Sequence, residues 1–111
     1  MKEPQIKTLA LPRLNGLKPT LESTALKLME EAGELAEAIG KLRSLSGEPR
    51  PAEPEFYRQA ARELLDVAQT AITMMFVLEE QHQVDVGLLL REHLEKLRRK
   101  GYLDWGGDEG G

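Results

Sequence analysis

The sequence predicts an all-α fold, and three segments support this prediction. In residues 21–42 the apolar positions alternate by four and three, which is the spacing of one face of a helix. Residues 56–78 form a second long helical segment, whose later part is apolar on nearly every side. A third helix is predicted from about residue 86 to residue 100. We therefore predict a helical bundle of about three main helices, completed by homo-oligomerisation.

The first helix is the clearest of the three. Residues 6–17 hold scattered apolar positions broken by Pro12 and Gly16, which predicts a brief helix or an ordered arm able to cover a neighbouring site. Lys18-Pro19-Thr20 is typical of a helix start. From Leu21 onward one apolar stripe continues along the helix. Its members are Ala25, Leu28, Ala32, Leu35, Ile39 and Leu42.

The second and third helices follow a proline-rich loop. Residues 44–54 contain Gly47 and three prolines, so they cannot continue a helix, although Pro54 can open the next one. A short turn or kink before Gly87 leads into the third helix, and Gly101 is suited to capping it. Three helices of this size cannot surround a central helix that is apolar all round, so we expect short antiparallel connections and a second subunit.

Length and composition indicate one small globular domain. Of 111 residues, 41% are hydrophobic and 31% are charged, which is too apolar for general disorder. We predict a single all-α domain over residues 1–103. Residues 104–111 combine acidic residues with glycines, so we predict a flexible tail there.

Charge and residue usage narrow the class of function. A formal net charge of -4 disfavours binding to nucleic acid or to an anionic membrane. The absence of cysteine excludes disulfides, thiolate zinc sites and a cysteine nucleophile. Neither an apolar signal core nor an apolar run of about 20 residues is present, so we expect a cytoplasmic protein without a membrane partner.

Two carboxylate pairs are the candidate functional residues. Glu31 and Glu34 are three positions apart on the first helix, with Glu31 at the edge of the apolar stripe. For this helix alone, a solvated acidic face is the simpler explanation. Glu63 and Asp66 repeat the spacing on the second helix. There the same face continues through Thr70, Thr73 and Val77, with Met74 alongside.

The apolar setting of the second pair favours a metal site. A buried unpaired carboxylate costs several kcal/mol, so Asp66 requires a cation or strong donors, with Arg62 as the possible salt-bridge partner. If the two pairs face each other, their repulsion requires divalent cations. Ligation by carboxylates alone favours Mg²⁺, with Mn²⁺ as a substitute. Such a site suits hydrolysis of a phosphate anhydride, and a nucleoside triphosphate is a sensible substrate.

These motifs resemble those of a known family. Leu28-Met29-Glu30-Glu31-Ala32-Gly33-Glu34-Leu35, followed by Glu63-Leu64-Leu65-Asp66, is similar to the ExxE and ExxD motifs of MazG-like nucleotide pyrophosphohydrolases, within the all-α NTP pyrophosphatase superfamily. The resemblance spans roughly residues 20–80. It implies hydrolysis between the α and β phosphates to a monophosphate and pyrophosphate, in a homodimer or homotetramer.

The resemblance also implies roles for individual residues. Glu31, Glu34, Glu63 and Asp66 become Mg²⁺ ligands, and Glu30 becomes an additional acidic residue that ligates or acts as the catalytic base. Many relatives carry an asparagine where this chain has Thr73, so nucleotide binding there is expected to differ. The candidates for binding the phosphates are given by charge alone. They are Lys27, Lys41, Arg43, Lys96, Arg98, Arg99 and Lys100.

Two other functions stay open. A non-enzymatic helical oligomerisation module would leave the acidic faces solvated. A di-iron carboxylate protein is suggested by the ExxH spacing of Glu79 and His82, but the chain has one such motif, and it turns away from the face of Glu63 and Asp66.

Overall fold

The computed structural model of the chain describes residues 3–42 and 54–103. Within them it contains three helices and no strand: α1 is Leu21–Leu42, α2 is Pro54–His82 and α3 is Val86–Arg99. The all-α prediction is confirmed. No helix in this part of the chain is both long and apolar enough to cross a membrane. Residues 44–53 of the expected loop and the expected tail, residues 104–111, lie outside the described residues.

Polar side chains and one glycine set the helix ends. At the start of α1, the Ser23 N–H donates to Thr20 Oγ1 at 3.0 Å while the Thr20 N–H donates to Ser23 Oγ at 2.8 Å. This reciprocal pair satisfies donors that a helix start leaves free, and it confirms the predicted start. At the start of α3, Asp85 Oδ1 accepts from the Leu88 N–H at 2.9 Å. Gly101, with φ of 82°, follows the end of α3 as predicted.

The second helix is longer than the sequence indicated, because no strong breaker follows residue 78. It continues to His82, and the chain then turns at Gln83, a non-glycine residue with φ of 54°. Asp85 immediately starts α3 by capping it. The helix break therefore results from a left-handed residue followed by an N-cap, and the cap was not recognised from the sequence.

Helices α1 and α2 form an antiparallel pair. The first turns of α1 lie beside Thr70 and Thr73 of α2, whereas Ala38 near its end lies beside Phe56. Helix α3 contacts α2 but not α1 within the described residues, so one chain does not close a three-helix bundle. Its radius of gyration is 18.1 Å, against about 13 Å for a compact chain of this length.

The packed face of α1 shares Leu28 and Leu35 with the predicted stripe but is rotated toward the side of Thr24 and Glu31. The residues turned toward α2 follow a four-three spacing of their own, at Thr24, Leu28, Glu31, Leu35 and Ala38. Ala32 and Ile39 of the predicted stripe are exposed. The prediction that Glu31 sits at the stripe's edge was therefore wrong, because Glu31 lies in the middle of the helix contact.

The segment before α1, residues 3–20 and here called the arm, contains no helix. It packs against α2 of its own chain through three side-chain contacts. Gln69 Nε2 donates to the Pro12 carbonyl and Gln81 Nε2 to the Pro19 carbonyl, both at 2.9 Å. Arg13 forms two hydrogen bonds with the Glu80 carboxylate, at 2.7 and 2.9 Å. The expected ordered arm is present, and it covers a surface of α2.

Candidate metal centre

Three of the four predicted ligands come together between α1 and α2. Glu31 projects from the middle of the packed face of α1, while Glu63 and Asp66 stand almost one turn apart on α2. One carboxylate oxygen from each of these residues lies within 4.8 Å of the other two. We call Glu31, Glu63 and Asp66 the acidic triad.

Two oxygens of the triad are buried without a hydrogen-bond partner. They are Oε1 of Glu31 and Oε1 of Glu63. The second oxygen of each carboxylate does have a partner: Glu31 Oε2 lies 3.1 Å from Lys27 Nζ, and Glu63 Oε2 accepts from Gln59 Nε2 at 2.9 Å. A buried carboxylate oxygen without a donor is costly, and neighbouring negative charges raise that cost. The two oxygens without a partner are therefore positions that a bound cation could occupy.

Burial is distributed unevenly over the triad. Glu31 is 8% exposed and Glu63 is half-buried, but Asp66 is exposed. The expectation that Asp66 is the buried acid was wrong, because the contact with α1 covers Glu63 more than Asp66. Arg62 is not its partner either, since Arg62 Nη1 pairs with Glu55 at 2.8 Å. Asp66 thus faces the solvent side of the triad, from which a metal ion and a phosphate can approach.

Glu34 lies outside the triad, but the negative charges of the triad act on it. Its side chain is exposed and contributes no oxygen to the group of three. The negative charge of Glu31 raises the pKa of Glu34 above its ordinary value, and loss of solvation and the charge of Glu63 add to the effect. Glu34 and Glu63 also line an open cavity of about 390 Å³, whose wall includes Phe56 and Gln59. We call it the Phe56 cavity.

Lys27 is the cation of the site. Its Nζ lies 3.1 Å from Glu31 and 3.8 Å from Glu30, at spacings of four and three residues along α1. The hydrogen bond to Glu31 raises the pKa of Lys27, so its ammonium group remains charged at neutral pH. Glu30 itself is exposed. The structure thus brings Glu30 to the side of Lys27 and not into the triad.

The other candidate cations that the structure describes lie elsewhere. Lys96, Arg99 and Lys100 are at the end of α3, which does not touch α1 in the described part of the chain, and Arg98 pairs with Glu95 at 2.6 Å. The side chain of Lys41 and all of Arg43 lie outside the described residues. Charge alone did not separate Lys27 from these residues, whereas its position one turn before Glu31 does.

Sequence reasoning missed Gln59. This residue lies one turn before Glu63 on α2, and its amide holds one carboxylate oxygen in place. The arrangement mirrors that of Lys27 and Glu31 on α1. In both helices a donor four positions before the acid binds one oxygen, and this i,i+4 spacing is readable from the sequence.

The donor set of the triad fits a hard divalent cation. Its ligand atoms are carboxylate oxygens, and no histidine belongs to the group within the described residues. Opposite oxygens around one Mg²⁺ are about 4.2 Å apart, so oxygens within 4.8 Å are close to the spacing that the ion requires. Glu79 and His82, the candidate di-iron motif, are exposed near the end of α2 and stand outside the triad.

Comparison with known proteins gives one match. A family model described as the MazG nucleotide pyrophosphohydrolase domain matches residues 19–101, a range that includes all three helices and the whole triad. Searches of curated proteins and of solved structures found no significant match.

Proposed function

Because the chain belongs to the family of MazG nucleotide pyrophosphohydrolase domains, we propose that it hydrolyses nucleoside triphosphates between the α and β phosphates with Mg²⁺. The products are a nucleoside monophosphate and pyrophosphate. The observation that carries this proposal is the acidic triad, in which two buried carboxylate oxygens lack a donor. A metal-binding acidic site agrees with the polyphosphate substrates of this family, whereas a solvated acidic face would have no role in such a reaction.

We assign Glu31, Glu63 and Asp66 as metal ligands, with Glu34 as the fourth. Bound there, Mg²⁺ would neutralise phosphate charge and acidify a bound water, and Mn²⁺ would be an acceptable substitute. Gln59 holds Glu63 in position through its amide. Glu34 is exposed beside the triad, and a change of rotamer is enough to bring a glutamate carboxylate toward Glu31 and Glu63.

Lys27 and Glu30 are proposed to act on the substrate, Lys27 in binding and Glu30 in catalysis. Lys27 neutralises Glu31 in the free protein and is placed to bind a phosphate oxygen when the nucleotide arrives. Glu30 is the proposed general base: it accepts the proton of the attacking water as the water oxygen bonds to phosphorus and the anhydride bond breaks. Its carboxylate is exposed, so both water and phosphate can reach it.

We also propose that the protein works as a homodimer or homotetramer in the cytoplasm. Helix α3 buries none of its residues, and Leu88, Leu89 and Leu90 are all exposed on it. Val77 is the single buried hydrophobic residue of the described part, at 2% exposure. Such a small core leaves apolar surface that association would cover. A molar mass of one chain in solution would contradict the oligomer.

The function is tested by product analysis. The full chain is incubated with Mg²⁺ and each ribo- and deoxyribonucleoside triphosphate, and monophosphate and pyrophosphate are quantified. We expect equal amounts of both products from at least one nucleotide. Glu63→Gln should reduce turnover by at least about 100-fold, because even outer partners of a metal site contribute 10- to 100-fold.

Glu79→Gln is the matched control for this experiment. It neutralises another glutamate of α2 that is exposed and stands outside the triad, so its turnover should equal that of the wild type. If no nucleotide is cleaved by folded, metal-saturated protein, the pyrophosphohydrolase proposal fails and the oligomerisation module becomes the better account. Release of orthophosphate in place of pyrophosphate would place the cleavage at another anhydride bond.

A further inference from the structure

A second cavity lies beside the triad, between the arm and the two long helices. Its volume is about 320 Å³, which falls within the range of roughly 300–1,000 Å³ found for ligand pockets. We call it the arm cavity. One wall belongs to the arm and the opposite wall to α1 and α2. The lining residues include Leu14 and Leu17 of the arm, Thr24 and Lys27 of α1, and Thr70 and Thr73 of α2.

The chemistry of this lining differs from that of the Phe56 cavity. The arm contributes two leucines, a proline and Lys18, the helices contribute hydroxyl and amide groups together with Lys27, and no carboxylate takes part. The Phe56 cavity, in contrast, includes three glutamates, Glu34, Glu37 and Glu63. Hydroxyl and amide groups opposite apolar side chains suit a flat, uncharged heterocycle, and the two lysines suit the phosphates attached to it. The acidic cavity is better suited to cations and water.

Position connects the arm cavity to the triad. Lys27 lines the cavity and also touches Glu31, and Thr70 follows Asp66 by one turn of α2. A molecule with its phosphates at the triad can therefore place its other end in the arm cavity. Lys27 then stands at the junction between the two parts.

The hydroxyl of Thr73 is a second, independent observation in favour of a ligand in the arm cavity. Its oxygen, Oγ1, is buried and has no hydrogen-bond partner, although helical threonines commonly bond to a carbonyl of the preceding turn. Thr24 lines the same cavity, but its hydroxyl donates to the Thr20 carbonyl at 2.7 Å. Of these two threonines, Thr73 is the one whose hydroxyl lacks a partner, and a change of its χ1 rotamer would turn the buried oxygen toward a ligand in the cavity.

We propose that the arm cavity binds the nucleoside end of the substrate, with the base against Leu14 and Leu17 and a hydrogen bond from Thr73. This inference rests on the proposed function for the position of the phosphates. It makes the arm the part of the chain that selects the base. The hydrogen bonds made by Gln69, Gln81 and Arg13 between the arm and α2 then hold the arm in the position from which it contacts the base.

Binding measurements separate this inference from catalysis. Titration calorimetry with Mg²⁺ gives the affinity for α,β-methylene nucleoside triphosphates, whose P–C bond is not hydrolysed, and for inorganic tripolyphosphate, which has no nucleoside. Leu14→Trp places a larger side chain in the cavity. We expect it to lower the preference for nucleotide over tripolyphosphate by about tenfold or more, which corresponds to about 1.4 kcal/mol. Leu17→Trp changes the same wall and should act alike.

Leu9→Trp is the matched control. Leu9 is 55% exposed on the same arm but does not line the cavity, whereas Leu14 is 38% exposed and does. The control should keep the wild-type preference. An unchanged preference in both cavity variants, an equal loss of affinity for both probes, or a wild type without any preference for nucleotide would each overturn the inference. Nucleotide binding without turnover would leave it standing and remove only the proposed hydrolysis.

The two threonines give a second test, in which the melting temperature and the nucleotide affinity should change in opposite directions. Thr73→Val removes a buried oxygen that has no partner, so the melting temperature should rise while nucleotide affinity falls by about three- to tenfold, the value of one neutral hydrogen bond. Thr24→Val removes a hydroxyl that is already bonded, so it should lower the melting temperature and change affinity less. Unchanged nucleotide affinity in Thr73→Val would remove the hydroxyl from the proposal.

Discussion

Among the described residues, two groups of carboxylates differ in their partners. In the acidic triad, Glu31 and Glu63 each bury an oxygen that receives no hydrogen bond. Away from the triad, Glu55, Glu80 and Glu95 are exposed, and each has an arginine within 2.8 Å. In the first group Lys27 compensates only part of the negative charge inside the helix contact, whereas in the second an arginine neutralises each carboxylate at the surface.

This difference distinguishes a site from a structural contact. An exposed ion pair contributes little to stability and can be lost without harm. A cluster of partly buried carboxylates destabilises the fold that contains it unless donors, protonation or a bound cation compensate for the charge. The side chains around the triad agree with this interpretation, since Lys27 and Gln59 satisfy just one oxygen of each acid.

The largest effect that separates the two groups should come from added metal. A ligand present at one hundred times its dissociation constant stabilises a fold by about 2.7 kcal/mol, which corresponds to a rise on the order of 10 °C in the melting temperature. We expect such a rise for the wild type with Mg²⁺ or Mn²⁺, and also for Glu95→Gln, which removes a surface carboxylate. Glu63→Gln should lose most of it. Equal shifts in all three proteins would place the metal elsewhere.

A smaller effect, of opposite sign in the two groups, should appear without metal. In Glu31→Gln a carboxylate of the triad is replaced by an amide that can donate to its neighbours. The lost ion pair with the exposed Lys27 offsets only part of this gain, so the free energy of unfolding should rise by about 1 kcal/mol. Glu80→Gln breaks the bond between Arg13 and α2, and its stability should fall slightly. Urea unfolding in the presence of a chelator measures both. A destabilised Glu31→Gln would contradict the view that the triad is strained when empty.

Much of the fold was predictable because it depends on local patterns. The four-three spacing predicted α1, and the Lys18-Pro19-Thr20 start and the Gly101 cap were confirmed. What the pattern did not determine was which side of α1 packs inward, because apolar residues flank the true contact face. Burial of Thr24 and Glu31 is decided by α2 and the arm, which are distant in sequence.

The site was predictable in part for the same reason. The spacing within each pair and the family resemblance predicted four acids, of which the structure brings Glu31, Glu63 and Asp66 together and leaves Glu34 outside the group. The arm cavity was not foreseen, because its walls come from residues as far apart as Leu14 and Thr73. Contacts between residues that are far apart in the sequence leave no periodic pattern from which they could be predicted.

The smallest expected effect is a difference in pH dependence between the two groups. The charge of Glu31 raises the pKa of Glu34 above 4.5, so the metal-free folded state binds this proton more tightly than the unfolded chain does. The stabilising effect of this proton is fully present below pH 4.5 and is lost as the pH rises through the folded value. Arg13 lowers the pKa of Glu80, so its contribution is present above pH 4.5 and is lost as the pH falls. Melting temperatures between pH 3 and 8 should show these trends, by a few degrees at most, as differences from Glu34→Gln and Glu80→Gln. The contribution of Glu34 is lost above pH 4.5 and that of Glu80 is lost below it. Parallel difference curves for the two variants would therefore contradict the distinction between the carboxylates near the triad and those paired with arginine.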